Sequence, residues 1–301
     1  MLHTTTTPAQ RRRRLRELLG SGRLVTMPGA VNPYSTKLIE EHGFQAAYLS
    51  GAVLSAELCL PDIGLTASTE IAARAQQITR VTDLPVLIDA DTGFGAPVNA
   101  ARTVQLFEDA GLAGLHLEDQ TAVKRCGHLD GKTLVSREEM AQRVRAAAEA
   151  RRDPDFLLMA RTDARAVEGL DAAIDRAKAY VEAGADAVFP EALADEAEFA
   201  AFRKTLDVPL LANMTEFGKS PLLPASTLER LGYNIALYPV TLFRLANGAI
   251  EDGLRTLAAE GGQESLLPRM QTRSRLYEVL GYADYTAFDS AVHDFTLPPG
   301  A

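Results

Sequence analysis

Cysteine is scarce: Cys59 and Cys126 are the two in 301 residues, too few for a disulfide framework. No charged segment followed by an apolar stretch and a cleavage site opens the chain, so a reducing, cytoplasmic setting is expected. No apolar run approaches the ~20 residues that a bilayer-spanning helix needs, and no membrane partner is expected. Basic charge is also lacking. With a formal net charge of −9, the chain has no general basic character with which to hold a nucleic acid. Its one basic run, Arg11 to Arg14, precedes Leu15, Leu18 and Leu19 at helical spacing, which reads as a solvated first helix rather than a phosphate clamp.

The remaining composition, 47% hydrophobic and 24% charged, is that of a globular chain with length for one large core. Eight short apolar runs read as strands, at 24–27, 46–50, 85–89, 114–118, 156–161, 187–190, 209–213 and 234–238. Helix-like stretches such as 68–82, 100–110, 136–150 and 170–183 lie between them, and Gly111 and Gly184 stand where helix ends favour glycine. That alternation means parallel strands with crossover helices, and the count of eight predicts an α/β protein of the (β/α)₈ barrel type. A doubly wound sheet is the rival architecture. The first turn, Met27-Pro-Gly-Ala-Val-Asn-Pro33, lacks its glycine fingerprint, and Gly93-Phe-Gly95 runs on into Ala-Pro, as a tight turn would.

A single barrel domain therefore spans 1–301, with an N-terminal helical segment over 1–22 and a C-terminal helical extension over 262–301. Beyond the eighth strand, a helix over 242–259 precedes Leu276, Val279 and Leu280 at helical spacing and a further stretch over 282–295. This apolar tail exceeds what a barrel needs, and it predicts either packing on a neighbouring subunit or coverage of the barrel's lower end.

Strand after strand ends in a group able to bind or react: Ser50, Asp89 and Asp91, Glu118 and Asp119, Arg161 and Asp163, Glu191, Asn213 and Thr215. Helix capping accounts for one such ending, not for so mixed a set, and barrel active sites lie at this end of the strands. Asp89 and Asp91 stand two apart, and residues i and i+2 of a strand share a face, so both carboxylates can grip one ion. Two hard oxygen donors with open positions suit Mg²⁺, with Asp62 and Glu118 able to hold its waters. Cys126 lies in Lys124-Arg-Cys-Gly-His128, where neighbouring cations are expected to lower the thiol's pKa. The glycine implies a loop that can move, and with no second cysteine nearby neither zinc nor a redox pair is expected. Cys59, between Leu58 and Leu60, reads as a buried structural thiol.

Lys124-Arg-Cys-Gly-His128, together with Asp89-Ala-Asp-Thr-Gly-Phe-Gly95, resembles the isocitrate lyase and phosphoenolpyruvate mutase superfamily, and more closely its 2-methylisocitrate lyase branch. The resemblance extends through Tyr48-Leu-Ser-Gly51, Leu60-Pro-Asp62, Met159-Ala-Arg-Thr-Asp163, Phe189-Pro-Glu-Ala192, Asn213-Met-Thr-Glu216, Leu237-Tyr-Pro239 and Met270-Gln-Thr-Arg273. Phosphonate-processing members lack the cysteine motif, so lyase chemistry is implied. Isocitrate lyase itself usually has lysine where this chain has Arg125. The stretch 50–59 departs from the family pattern, leaving Glu57 and Cys59 without a role.

The resemblance implies retro-aldol cleavage of 2-methylisocitrate, a tricarboxylate, to pyruvate and succinate in the methylcitrate cycle of propionate breakdown, by a homotetramer. Mg²⁺, or Mn²⁺ in its place, would sit on Asp89 and Asp91. Substrate contacts are implied for Ser50, Gly51, Ala52, Gly127, Arg161, Glu191, Asn213, Met214, Thr215, Arg244 and Arg273; forked guanidinium groups match carboxylates well. Phe189, Leu237 and Pro239 would line a pocket for the methyl group. Cys126 would be the proton donor, tuned by Lys124, Arg125 and His128, with Tyr48 as the base. The alternatives are an isocitrate lyase or oxaloacetate decarboxylase-like member, or an inactive acid-binding barrel.

Overall fold

The computed structural model describes residues 4–297. These residues divide into two compact units, one running from Thr6 to Arg244 and the other comprising Leu245 to Leu297 with Thr4 and Thr5.

The first unit contains eight strands: β1 Val25–Pro28, β2 Ala47–Leu49, β3 Val86–Asp89, β4 Gly114–Glu118, β5 Leu157–Thr162, β6 Ala187–Pro190, β7 Leu211–Asn213 and β8 Ile235–Tyr238. Each coincides, within two residues at either end, with one of the eight apolar runs. All pair in parallel, in two sheets of order β1-β8-β7 and β2-β3-β4-β5-β6. Single parallel bridges, Gly29 to Tyr48 and Val188 to Leu210, join the sheets and close the barrel. Gly29 is required at its seam, because a Cβ there would overlap the Pro239 carbonyl.

Capping side chains start several crossover helices: Asn32 accepts from the Ser35 N–H, Ser136 from Glu139 and Asp195 from Glu198. Gly111 and Gly184, at φ +81° and +116°, follow the helices Pro97–Asp109 and Leu170–Glu182. The alternation of strand side chains then separates the apolar residues. Met27, Tyr48, Leu87, Met159, Phe189 and Leu237 fill the barrel interior. Ile88, Leu115, Leu158 and Val188, one position away, pack outward among the helices.

Leu15 and Leu19 join the interior cluster, so the helix Pro8–Gly20 closes the barrel's lower end. The expectation of a solvated first helix is corrected here. Arg11 and Arg12 are buried. Arg11 Nη1 donates to the carbonyls of Thr79 and Thr82, both at 2.6 Å. Arg12 donates to Leu112 and Glu108 and pairs with Asp153 at 2.9 Å. These acceptors lie at helix ends and in the turns that enter the strands, where the run supplies buried carbonyls with charged donors.

The second unit is helical, with helices Arg273–Val279 and Tyr282–His293 after a short 3-10 turn. The long helix Thr241–Glu260 links the two units in sequence. Tyr277 and Tyr282 stack at 5.0 Å, and Asp252 binds Arg255 and Arg269. No helix among the described residues is long and apolar enough to cross a membrane.

Candidate active site

The C-terminal ends of the strands surround one cavity in the first unit. Of the candidates in that unit, all line it except Gly51, Asp91, Glu118, Asp119, Arg125, Asp163 and Met214. Val240 lines it too, although nothing in its sequence context marked it. Arg273 begins a helix of the second unit and is exposed.

Asp89 ends β3, and Asp91 lies beyond it at φ +47°, its N–H donating to Asp89 Oδ1 at 2.9 Å. The expected pleat geometry is thus corrected: a left-handed turn, not strand alternation, brings the second carboxylate inward. Gly51 faces the pair closely, and a Cβ there would lie 2.9 Å from Asp89 Oδ2 and 3.3 Å from Asp91 Oδ1. Lys124 Nζ stands 2.5 Å from Oδ1 of both Asp62 and Asp91 and pairs with both carboxylates. Glu118, with no exposure, has both oxygens buried without a hydrogen-bond partner, although Arg161 Nε is 3.4 Å away.

Burial opposes charge on Asp89, but His116, Lys124 and Arg161 outweigh it and hold this carboxyl below its ordinary range. Burial and the neighbouring Asp89 push Asp91 up despite Lys124, and burial lifts Glu118 far above the carboxylate range.

Arg161 stands at the centre of the floor. Its guanidinium donates to Asp163 at 3.0 Å, lies 3.1 Å from Glu191 Oε2, and covers the Phe189 ring at 5.0 Å. Asn213 Nδ2 reaches both Glu191 oxygens at 3.3 Å, while its own Oδ1 is buried without a partner. Leu237 and Pro239 form apolar wall with Phe189. Met214, between the inward Asn213 and Thr215, packs outward in the helix-facing core, where its sulfur accepts from the Leu223 N–H.

Sequence reasoning missed His116. Its Nε2 lies 2.7 Å from the Tyr48 hydroxyl, and the two rings stack in parallel. Burial brings the imidazole down to about 4, so it is neutral at pH 7 and shares one hydrogen bond with the phenol. Burial and Asp89 together push the Tyr48 phenol well up. The period of two along β4, which puts Gly114, His116 and Glu118 on one face, was the signal that could have found it.

Cys126 rides on the segment between β4 and the helix Arg137–Ala150. A bridge between Gln120 and Leu134 and a bond from Thr121 N–H to the Thr133 carbonyl at 2.9 Å form an antiparallel neck. The tip lies down on the floor: His128 Nε2 is 3.0 Å from Glu191 Oε1, and a Cβ on Gly127 would overlap Arg161 and Glu191. The expected depression of the thiol pKa is corrected. Lys124 turns to the aspartates, Arg125 is exposed with its backbone held by Gln120, and burial pushes the Cys126 thiol up. Adjacency in sequence did not become adjacency of charge. Cys59 is likewise no buried thiol: it is exposed, at φ +56°, just past the helix Gly51–Glu57.

A closed parallel barrel whose strand ends bring acid, amide, guanidinium and thiol groups into one cavity defines a (β/α)₈ barrel enzyme. The phosphoenolpyruvate phosphomutase family profile matches residues 15–258. The chain is 56% identical to a probable 2-methylisocitrate lyase 2 of Corynebacterium glutamicum, covering 96% of this chain and 94% of that one. It is 48% identical to the 2-methylisocitrate lyase of Bacillus subtilis, over 95% and 94% of the two chains. Among solved structures, a 2,3-dimethylmalate lyase matches with a TM-score of 0.89 at 30% identity, covering 99% of both chains. The chain belongs to the phosphoenolpyruvate mutase/isocitrate lyase superfamily.

Proposed function

We infer that the protein is a carbon–carbon lyase that cleaves 2-methylisocitrate to pyruvate and succinate. One observation carries this reading: the tip bearing Cys126 rests on Arg161 and Glu191 over a cavity that also holds Asp89. The names borne by its curated relatives support the same reaction.

Asp89 and Asp91 would hold a divalent cation, Mg²⁺ or Mn²⁺, with Asp62 and Glu118 behind them. The fit is supported by the cluster of buried carboxylates, with both Glu118 oxygens lacking a hydrogen-bond donor and the Lys124 ammonium paired with Asp62 and Asp91. No three acidic, His or Cys side chains form a metal-holding group among the described residues. An ion bound by two carboxylates would keep positions for water and substrate, as Mg²⁺ does. When bound, it supplies Lewis-acid stabilisation of the developing pyruvate carbonyl.

The chain's own groups do the rest. Arg161, Arg244, Asn213 and Thr215 present donors to the substrate carboxylates, and Ser50, Gly51 and Ala52 supply a wall that lets the substrate approach the acidic pair. Tyr48 takes the substrate hydroxyl proton as its own passes to His116 Nε2, which a neutral imidazole can accept. The C–C bond breaks, and its electron pair remains on the succinate fragment. Cys126 then delivers its proton to that carbon, and the burial that keeps the thiol protonated suits a donor better than a nucleophile. His128, fixed by Glu191, holds the tip in place. Phe189, Leu237 and Pro239 receive the substrate methyl group, a preference of about 1–3 kcal/mol over isocitrate.

Exposed Leu245, Leu254, Leu276 and Phe288 of the helical C-terminal chain support assembly into a homotetramer. Incubation with synthetic 2-methylisocitrate and Mg²⁺ is expected to yield pyruvate and succinate in equal amounts, with a higher kcat/KM than for isocitrate and none after EDTA. Failure to form pyruvate under these conditions would sink the reading.

A further inference from the structure

We propose that Lys132 is a positioning residue, a buried ammonium that latches the Cys126 tip to the barrel floor. It follows Gly131 at the far end of the segment and adjoins Thr133, whose carbonyl helps form the neck. Its backbone therefore belongs to the fixed foot, whereas its side chain runs inward and is 1% exposed. There Nζ donates to the Gly127 carbonyl and stands 3.3 Å from Asp163 Oδ1.

Asp163 is immobile, since it has no exposure, its N–H donates to Asp119 Oδ1 at 2.9 Å, and its carboxylate accepts from Arg161. One cation thus ties a carbonyl of the tip to the end of β5. Burial of an ammonium is costly unless its N–H groups find acceptors. One acceptor is present only while the tip is down, so the lysine favours that arrangement. The carbonyl it holds belongs to the peptide between Gly127 and His128, the second one after Cys126. Its orientation therefore bears on where the thiol and the imidazole point. Lys124 also ties the segment down, but to Asp62 and Asp91, where a bound cation would compete with it. The Lys132 contact involves neither of those carboxylates.

The inference rests on Cys126 acting as proton donor, but its test can be read without turnover. In a Cys59→Ser background, Lys132→Met is compared with its parent for iodoacetamide alkylation of Cys126, followed by peptide mass spectrometry, and for kcat and KM. Removal of a cation near a thiol by itself slows alkylation. Opening of the tip has the opposite effect, and about tenfold faster alkylation is expected from loss of one hydrogen bond to a charged group. A fall in kcat of about 10–100-fold is expected, as for other groups that orient a reactive shell, with KM changed less. Lys132→Arg, which restores a charged donor, is expected to recover part of both. Alkylation at or below the parent rate overturns the latch, whatever happens to kcat. Should Lys132→Met fail to fold, Lys132→Gln is read by the same measurement and the same criterion. A parent enzyme inert toward 2-methylisocitrate would defeat the lyase reading, while the alkylation rates would still decide the latch.

Discussion

At the barrel's lower end, Arg11, Arg12 and Arg16 send their guanidinium groups into the turns that enter the strands. There they meet backbone carbonyls of Thr79, Thr82, Glu108, Leu112 and Asp155, and the carboxylates of Asp153 and Asp186. At the upper end Arg161 faces Glu118, Asp163 and Glu191, while buried atoms of Glu118, His116 and Asn213 have no hydrogen-bond partner. Both ends bury cations. The lower end satisfies its polar groups internally, with Arg11 Nε the one exception among these three arginines, and so contributes stability. The upper end leaves groups unsatisfied for a ligand, at some cost to stability.

The largest effect that can break this contrast comes from the upper end. Cys126→Ser is expected to lower kcat by about 10²–10⁴-fold, the range for a general acid, with an unchanged melting temperature. Cleavage near the parent rate would remove the thiol from the reaction. Next comes the lower end. Arg12→Met breaks the buried pair with Asp153 and removes the guanidinium donors to the carbonyls of Glu108 and Leu112, and a loss of about 3 kcal/mol of stability is expected. Its kcat below the transition should be retained; a loss of kcat without a loss of stability in urea melts would erase the distinction.

The smallest effect sharpens it. Burial disfavours the Cys126 thiolate, so the folded pKa lies above the ordinary thiol value of 9.0 and the donor form persists through neutral pH. The kcat profile should fall on the alkaline side only above pH 9, and Cys126→Ser should lack that limb. A parent profile already falling between pH 7 and 8 would contradict the buried, protonated thiol.

Much of this was legible before folding was considered. The eight apolar runs became eight strands because short β-rich segments between capped helices leave few arrangements other than parallel pairing. Six of the ten strand-end residues, Ser50, Asp89, Arg161, Glu191, Asn213 and Thr215, line one cavity because a barrel collects its C-terminal strand ends. Arg11 and Arg12 were misread because a run of charges says nothing of the carbonyls that another part of the chain will present. The Cys126 thiol was misread for a related reason. Lys124 and Arg125 are its covalent neighbours, but burial and the turn of each side chain decide what a charge acts on. Lys132, in an unremarkable Gly-Lys-Thr stretch, carried no signal at all, since its acceptors are five and thirty-one positions away.

Taken alone, the amino-acid order determined the strands, the helices and the chemical repertoire at the barrel mouth, because periodicity and strand ends are local properties. Tertiary structure decided which charges meet: the partner of Lys124, the neutrality of His116, the protonated thiol and the left-handed turn that aims Asp91. Those depend on burial and on distances of a few ångströms between remote segments, and electrostatic free energy is set by dielectric and separation in space, to which sequence separation is a poor guide.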